Sequence, residues 1–131
     1  MADQKNETKL WNLLKKYLIN IHFTRIESKT VNGIPDIFGV YNGISFWLEL
    51  KADKVSYPKL SKWQISWINT YIEHGGVMLI CDLALSQRAL KFYRIKKFIE
   101  DPRKLVPDYV APVRGSWPEI RKNFIKLISD N

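Results

Sequence analysis

The sequence is poor in cysteine, histidine and acidic residues and has no long apolar run. Its single cysteine, Cys81, cannot form an internal disulfide or a cysteine-based zinc site, and its apolar neighbours mark it as a reduced core residue. The longest apolar run, Val77-Met78-Leu79-Ile80-Cys81, is far short of the roughly 20 residues that cross a bilayer. Met1 to Glu7 is polar, unlike a signal peptide. A soluble, cytoplasmic protein without a membrane partner is therefore expected. His22 and His74 lack metal-ligand spacing and read as structural, and no Ser-His-Asp set, zinc pattern or phosphate-cradling glycine loop occurs.

Acids number 13 against 21 Lys and Arg, a formal charge of +8. With 46% hydrophobic residues the chain is too apolar for a disordered basic tail, and 131 residues suit a single domain spanning 1–131. A compact basic domain points to a polyanionic partner, nucleic acid first.

Leu10, Leu13, Leu14, Tyr17 and Leu18 recur at helical spacing, predicting a helix over about 6–20 capped by Asn6. A short strand is expected over 21–27. Ser61 caps a second helix to about His74, stopped by Gly75-Gly76, and a buried strand follows over 77–83. Ala89 to Ile95 reads as a strand, Lys96 to Glu100 as a short helical piece and Pro107 to Gly115 as loop. Ser116 and Glu119 have capping-box spacing, with Pro118 tolerated in the first turn of a last helix over 117–129.

Between Asp36 and Lys51 two β-branched and aromatic runs flank Asn42-Gly43, a strong signal for a two-residue hairpin turn. Tyr41 then pairs with Ile44, all paired numbers sum to 85, and Asp36 faces Glu49. Two carboxylates so opposed destabilise each other unless something positive lies between them. Lys51 shares the face of Glu49, and a hard cation such as Mg²⁺ also resolves the repulsion. Two acids, a lysine and room for a metal suit phosphodiester hydrolysis.

Gly33-Ile34-Pro35-Asp36, twelve residues, then Glu49-Leu50-Lys51 resembles the PD-(D/E)xK nuclease superfamily, most closely its VRR-NUC and archaeal-type Holliday junction resolvase-like members. Pro58 to Gln64 resembles the following helix that carries a glutamine. The resemblance covers about residues 7–82 and implies an α/β, restriction-endonuclease-like core of order α-β-β-β-α-β. A central mixed sheet flanked by helices is implied, with residues 84–131 adding a C-terminal strand and helix. It implies Asp36, Glu49 and the Leu50 carbonyl as ligands of Mg²⁺, with Mn²⁺ able to substitute, and Glu7 as a further metal-binding or metal-orienting acid. Lys51 orients the attacking water or stabilises charge, and Gln64 positions the lysine or the scissile phosphate. In-line attack by water leaves a 5′-phosphate and a 3′-hydroxyl, with branched DNA such as a Holliday junction as substrate.

Residue by residue there are plainer readings. Asp36 after Pro35 can begin a turn, Glu49 and Lys51 can form a solvated strand face, Gln64 can be an exposed helix residue, and Glu7 can complement a helix N-terminus. Arg25, Lys29, Lys54, Lys59 and Lys62 lie near the proposed site and as a set make the best DNA track. Lys91, Arg94, Lys96, Lys97, Arg103 and Lys104 form a second basic stretch, either another binding arm or a solubilising surface. Trp11, Trp63, Trp67 and Tyr57 belong to a homodimer interface or to the core. Alternatives to a resolvase are a flap, other structure-specific or restriction-type nuclease, and a non-catalytic nucleic-acid-binding module on a nuclease scaffold.

Overall fold

The computed structural model describes residues 2–27 and 31–130. Helix α1 (Ala2–Tyr17) leads into β1 (His22–Arg25), β2 (Ile37–Tyr41) and β3 (Ile44–Asp53). Helix α2 (Lys62–Glu73) connects to β4 (Met78–Ala84), and β5 (Ala89–Arg94), β6 (Tyr109–Pro112) and α3 (Trp117–Ser129) complete the order. The six strands form one sheet in sequence order, antiparallel throughout except for β3 beside β4. That parallel step needs a crossover, which α2 supplies. The expected mixed sheet with flanking helices is present, with one strand more than the sequence suggested.

Alternation along the strands builds two cores. Leu48, Leu50, Leu79, Cys81 and Phe92 point to one face, where Leu10, Leu14 and Leu18 of α1 and Ile120, Phe124 and Ile128 of α3 cover them. On the other face Ile68 of α2 packs with Met78, Ile80, Tyr93, Ile95 and Ile99. Each such fully buried large apolar side chain contributes about 2 kcal/mol. Cys81 is a free, buried thiol, as expected. Among the described residues no helix is long and apolar enough to cross a membrane.

Four local expectations need correction. Helix α1 begins at Ala2, so Asn6 lies inside it rather than capping it. Residues 96–100 are not helical, because the Asn69 side chain bonds both the N–H and the carbonyl of Ile99 (2.8 and 3.0 Å) while Ile99 inserts beside α2. The stretch around Pro112 contains β6, an edge strand in which proline is tolerated. Ser116 occupies the cap of α3 without a side-chain bond, and Glu119 instead accepts from Asn123 at 3.4 Å. The capping box forms at Ser61 and Gln64 of α2.

Candidate active site

Asn42 and Gly43 both adopt positive φ (49° and 81°), which makes the two-residue turn and fixes the register. Tyr41 pairs with Ile44 and Ile37 with Leu48, every pair summing to 85. Phe38 and Trp47 sit opposite on the α2 side, their rings 5.1 Å apart, and the register continued one residue past Ile37 and Leu48 sets Asp36 against Glu49, near enough for their charges to act on each other. The sequence arithmetic for the two acids holds.

Asp36 ends the β2 ladder with its side chain: Leu50 N–H donates to Asp36 Oδ2 at 2.9 Å. Trp47 N–H donates to Val77 across to β4, so even-numbered residues of β3 direct both backbone groups toward β2. Leu50 then faces Pro35, which has no N–H to claim the Leu50 carbonyl. Proline at position 35 therefore offers no backbone N–H to a carbonyl on the neighbouring strand.

Glu49 is buried at 3% exposure. Burial, then the Asp36 charge, push its carboxyl well above the ordinary value; Glu7 adds to the rise and Lys51 opposes it. Asp36 is also raised by burial, against the pull of the Leu50 N–H, Lys51 and Arg25. Lys51 Nζ lies 3.6 Å from Glu49 Oε2.

Gln64 links these groups to α2. Its Nε2 donates to Glu49 Oε2 at 2.9 Å, while its Oε1 accepts from Lys51 Nζ at 3.2 Å and from Ser61 N–H at 2.9 Å. The amide that closes the capping box of α2 is therefore the one that bridges the acid and the lysine. Gly33 locks the loop before Pro35 against the same turn: it has φ +86°, and a Cβ there would lie 2.3 Å from the Trp63 carbonyl oxygen. The glycine, the Pro-Asp pair, the Glu-Leu-Lys run and the glutamine form one packed unit.

The carboxylates of buried Glu49 and partly buried Asp36, with the Leu50 carbonyl, are hard oxygen donors, and Mg²⁺ is ordinarily held by one or two carboxylates while keeping several waters. The donor set fits such an ion. Among the described residues no three His, Cys, Asp or Glu side chains gather closely enough to hold a metal by themselves. Glu7 reaches Glu49 through its charge.

Arg25 is near enough for its charge to act on Asp36, and Lys59 lines a cleft with Lys51. Lys54 is exposed just after β3, and Lys62 is exposed with its Nζ 5.0 Å from the Trp63 ring centre. Lys29 lies outside the described residues. Much of the second basic stretch is engaged within the fold. Lys91 donates to the Ser56 carbonyl (2.9 Å), Arg94 to the Asp130 carbonyl beyond α3 (2.7 Å), and Lys96 pairs with Asp130 (2.7 Å). Trp11 is core and Trp67 packs between Trp47 and Tyr71, which leaves Trp63 as the exposed tryptophan of the set at 53%.

Sequence reasoning missed Asp82. It is fully buried on β4, in register with Lys51 on one side and Lys91 on the other. An acid inside an otherwise apolar buried strand was the available signal.

No family model matches the chain, and no curated protein matches it in sequence. Solved structures do match. Hjc from Archaeoglobus fulgidus, a Holliday junction resolvase from an archaeal hyperthermophile, aligns with a TM-score of 0.54, covering 80% of this chain and 88% of its own, at 19% identity. The chain shares the fold of that resolvase, and the mixed sheet flanked by helices is the α/β architecture expected from the motif.

Proposed function

We propose that the chain is a metal-dependent endonuclease that hydrolyses phosphodiester bonds in branched DNA, acting as a Holliday junction resolvase. The carrying observation is the opposition of partly buried Asp36 and buried Glu49, with Lys51 3.6 Å from Glu49 and Gln64 bonded to both Glu49 and Lys51. The fold shared with Hjc supports the substrate class.

In this reading Asp36, Glu49 and the Leu50 carbonyl hold Mg²⁺, or Mn²⁺ in its place, with Glu7 contributing from α1. Such an ion supplies Lewis acidity to the phosphoryl group and lowers the pKa of water. Lys51 holds the attacking water or the charge that develops on the phosphate, and Gln64 fixes the direction of its ammonium. Arg25, Lys29, Lys54, Lys59 and Lys62 guide the flanking backbone. Paired cuts across a junction need two sites, so we read the working form as a homodimer, with exposed Trp63 as the aromatic candidate for its contact. Light scattering at working concentration checks that assembly.

The competing reading, a non-catalytic binding module, gives no reason to hold buried Glu49 against a second, repelling carboxylate beside a bridged lysine. Incubation with Mg²⁺ and a four-way junction, a flap, single strand and linear duplex tests the proposal. Paired symmetric nicks near the crossover are expected. Preferential flap cutting would move the assignment to a flap nuclease, and no cutting of any substrate would remove the enzymatic reading.

A further inference from the structure

A cleft of about 590 Å³ opens beside the catalytic lysine, and its far wall comes from the part of the chain that the motif resemblance does not cover. Lys51 and Gln64 line it from the site, Tyr57 and Lys59 from the loop before α2, and Asp101 and Arg103 from the turn after β5. Three of these side chains are cationic. The single acid, Asp101, is already engaged: Arg103 Nε donates to its Oδ1 at 3.0 Å and Nη2 to its Oδ2 at 2.9 Å.

That clamp shapes Arg103 for a ligand. Asp101 also accepts the Arg103 backbone N–H (3.0 Å) as the cap of a 3-10 turn over Pro102–Lys104, so the guanidinium is fixed from both ends of the residue. Its Nε–Nη2 edge faces Asp101, which leaves the Nη1–Nη2 edge for a second oxyanion. An arginine can serve two anions this way because its five donors form a rigid planar fork. The Arg103 side chain is nonetheless 71% exposed, an expensive surface on which to order a long side chain for stability alone, since exposed ion pairs contribute little.

We propose that Arg103, with Lys59, forms a phosphate subsite that holds a backbone phosphate next to the scissile one on the cut strand. The inference rests on the nuclease reading and extends it to the C-terminal region, which supplies a wall of the substrate cleft. Phosphate contacts position a nucleic acid without reading its sequence, so the subsite sets register rather than base preference.

Binding of a fluorescent four-way junction, measured by anisotropy in EDTA across a salt series, tests the subsite separately from cleavage. Arg103→Gln is expected to weaken binding about tenfold and to lower the salt-dependence slope by about one, the signature of one lost phosphate contact. Arg103→Lys should keep the slope and lose part of the affinity. Lys104→Gln is the control, an equal charge loss on an exposed neighbour outside the cleft. In Mg²⁺, Arg103→Gln should raise KM and leave kcat unchanged. If the wild type binds and cuts DNA but Arg103→Gln and Lys104→Gln behave alike, the subsite is wrong and the nuclease reading stands. If the wild type neither binds nor cuts, both fall.

Discussion

Gln64 Nε2 donates to Glu49 Oε2 at 2.9 Å, which ties the first turn of α2 to the middle of β3. The same side chain caps the helix through Ser61 and accepts from Lys51. Gln64→Ala should therefore cost about 1 kcal/mol of stability through the lost cap. It should also slow cleavage by about 10–100-fold by releasing the lysine and the acid from their shared partner. Single-turnover rates and thermal unfolding on the same preparations separate the two effects. Gln64→Glu should be slower still, because it replaces a donor with a negative charge facing Glu49.

Glu49 has the opposite relation to stability. Burial and Asp36 raise its carboxyl well above the ordinary 4.5, so the folded chain binds this proton more tightly than the unfolded chain does. Its contribution is fully present below about 4.5 and is lost as pH rises toward the raised value. In metal-free buffer Glu49→Gln should melt above wild type at pH 8 and close to it at pH 4. Mg²⁺ should raise the wild-type Tm and raise that of the variant less, since the variant has lost one of the carboxylates that hold the ion. Scanning calorimetry with and without EDTA reads both.

Asp82 gives a second pH dependence with a defined window. Neither of its oxygens has a hydrogen-bond partner among the described residues, and burial, then Asp53, push its carboxyl up to about 7 against the pull of Lys91 and Lys51. Wild-type stability relative to Asp82→Asn should fall as pH rises from about 3.8 through 7, then level off. Urea midpoints at pH 5 and pH 8 check it. Equal differences at both would show that Asp82 does not titrate as its surroundings require.

Gly33 should tolerate no side chain. At φ +86°, with the Trp63 carbonyl 2.3 Å from any Cβ, Gly33→Ala must displace the start of α2. A loss of about 1–3 kcal/mol is expected from the backbone conformation, with further cost from the clash. Cleavage should fall as well, because Gln64 moves with that turn. Chemical denaturation and a cleavage rate on the folded fraction measure each.

Much of the site was legible because one turn fixes it. Asn42-Gly43 sets the register, the register opposes Asp36 and Glu49, and period-two alternation puts Lys51 on their face. The motif supplied Gln64, while its bonds to Glu49 and Lys51 needed the crossover of α2 over β3. Where local pattern failed, a long-range contact had overridden it. Asn69 holds Ile99 out of a helix across 30 residues of chain, and pairing with β5 makes a strand of Tyr109 to Pro112 despite its proline. Arg103 reaches the cleft by a turn whose facing residues, Lys51 to Gln64, lie far back in the sequence, so no spacing rule announced it.

A cleavage centre, rather than a structural pair, is the role proposed for Asp36 and Glu49. The direct measurement is cleavage of a labelled four-way junction in Mg²⁺ by wild type and Asp36→Asn, with junction binding recorded for each. Paired nicks are expected from the wild type, and from the variant retained binding with cleavage reduced by at least about 10²–10³-fold. Cutting by Asp36→Asn at the wild-type rate would contradict that role.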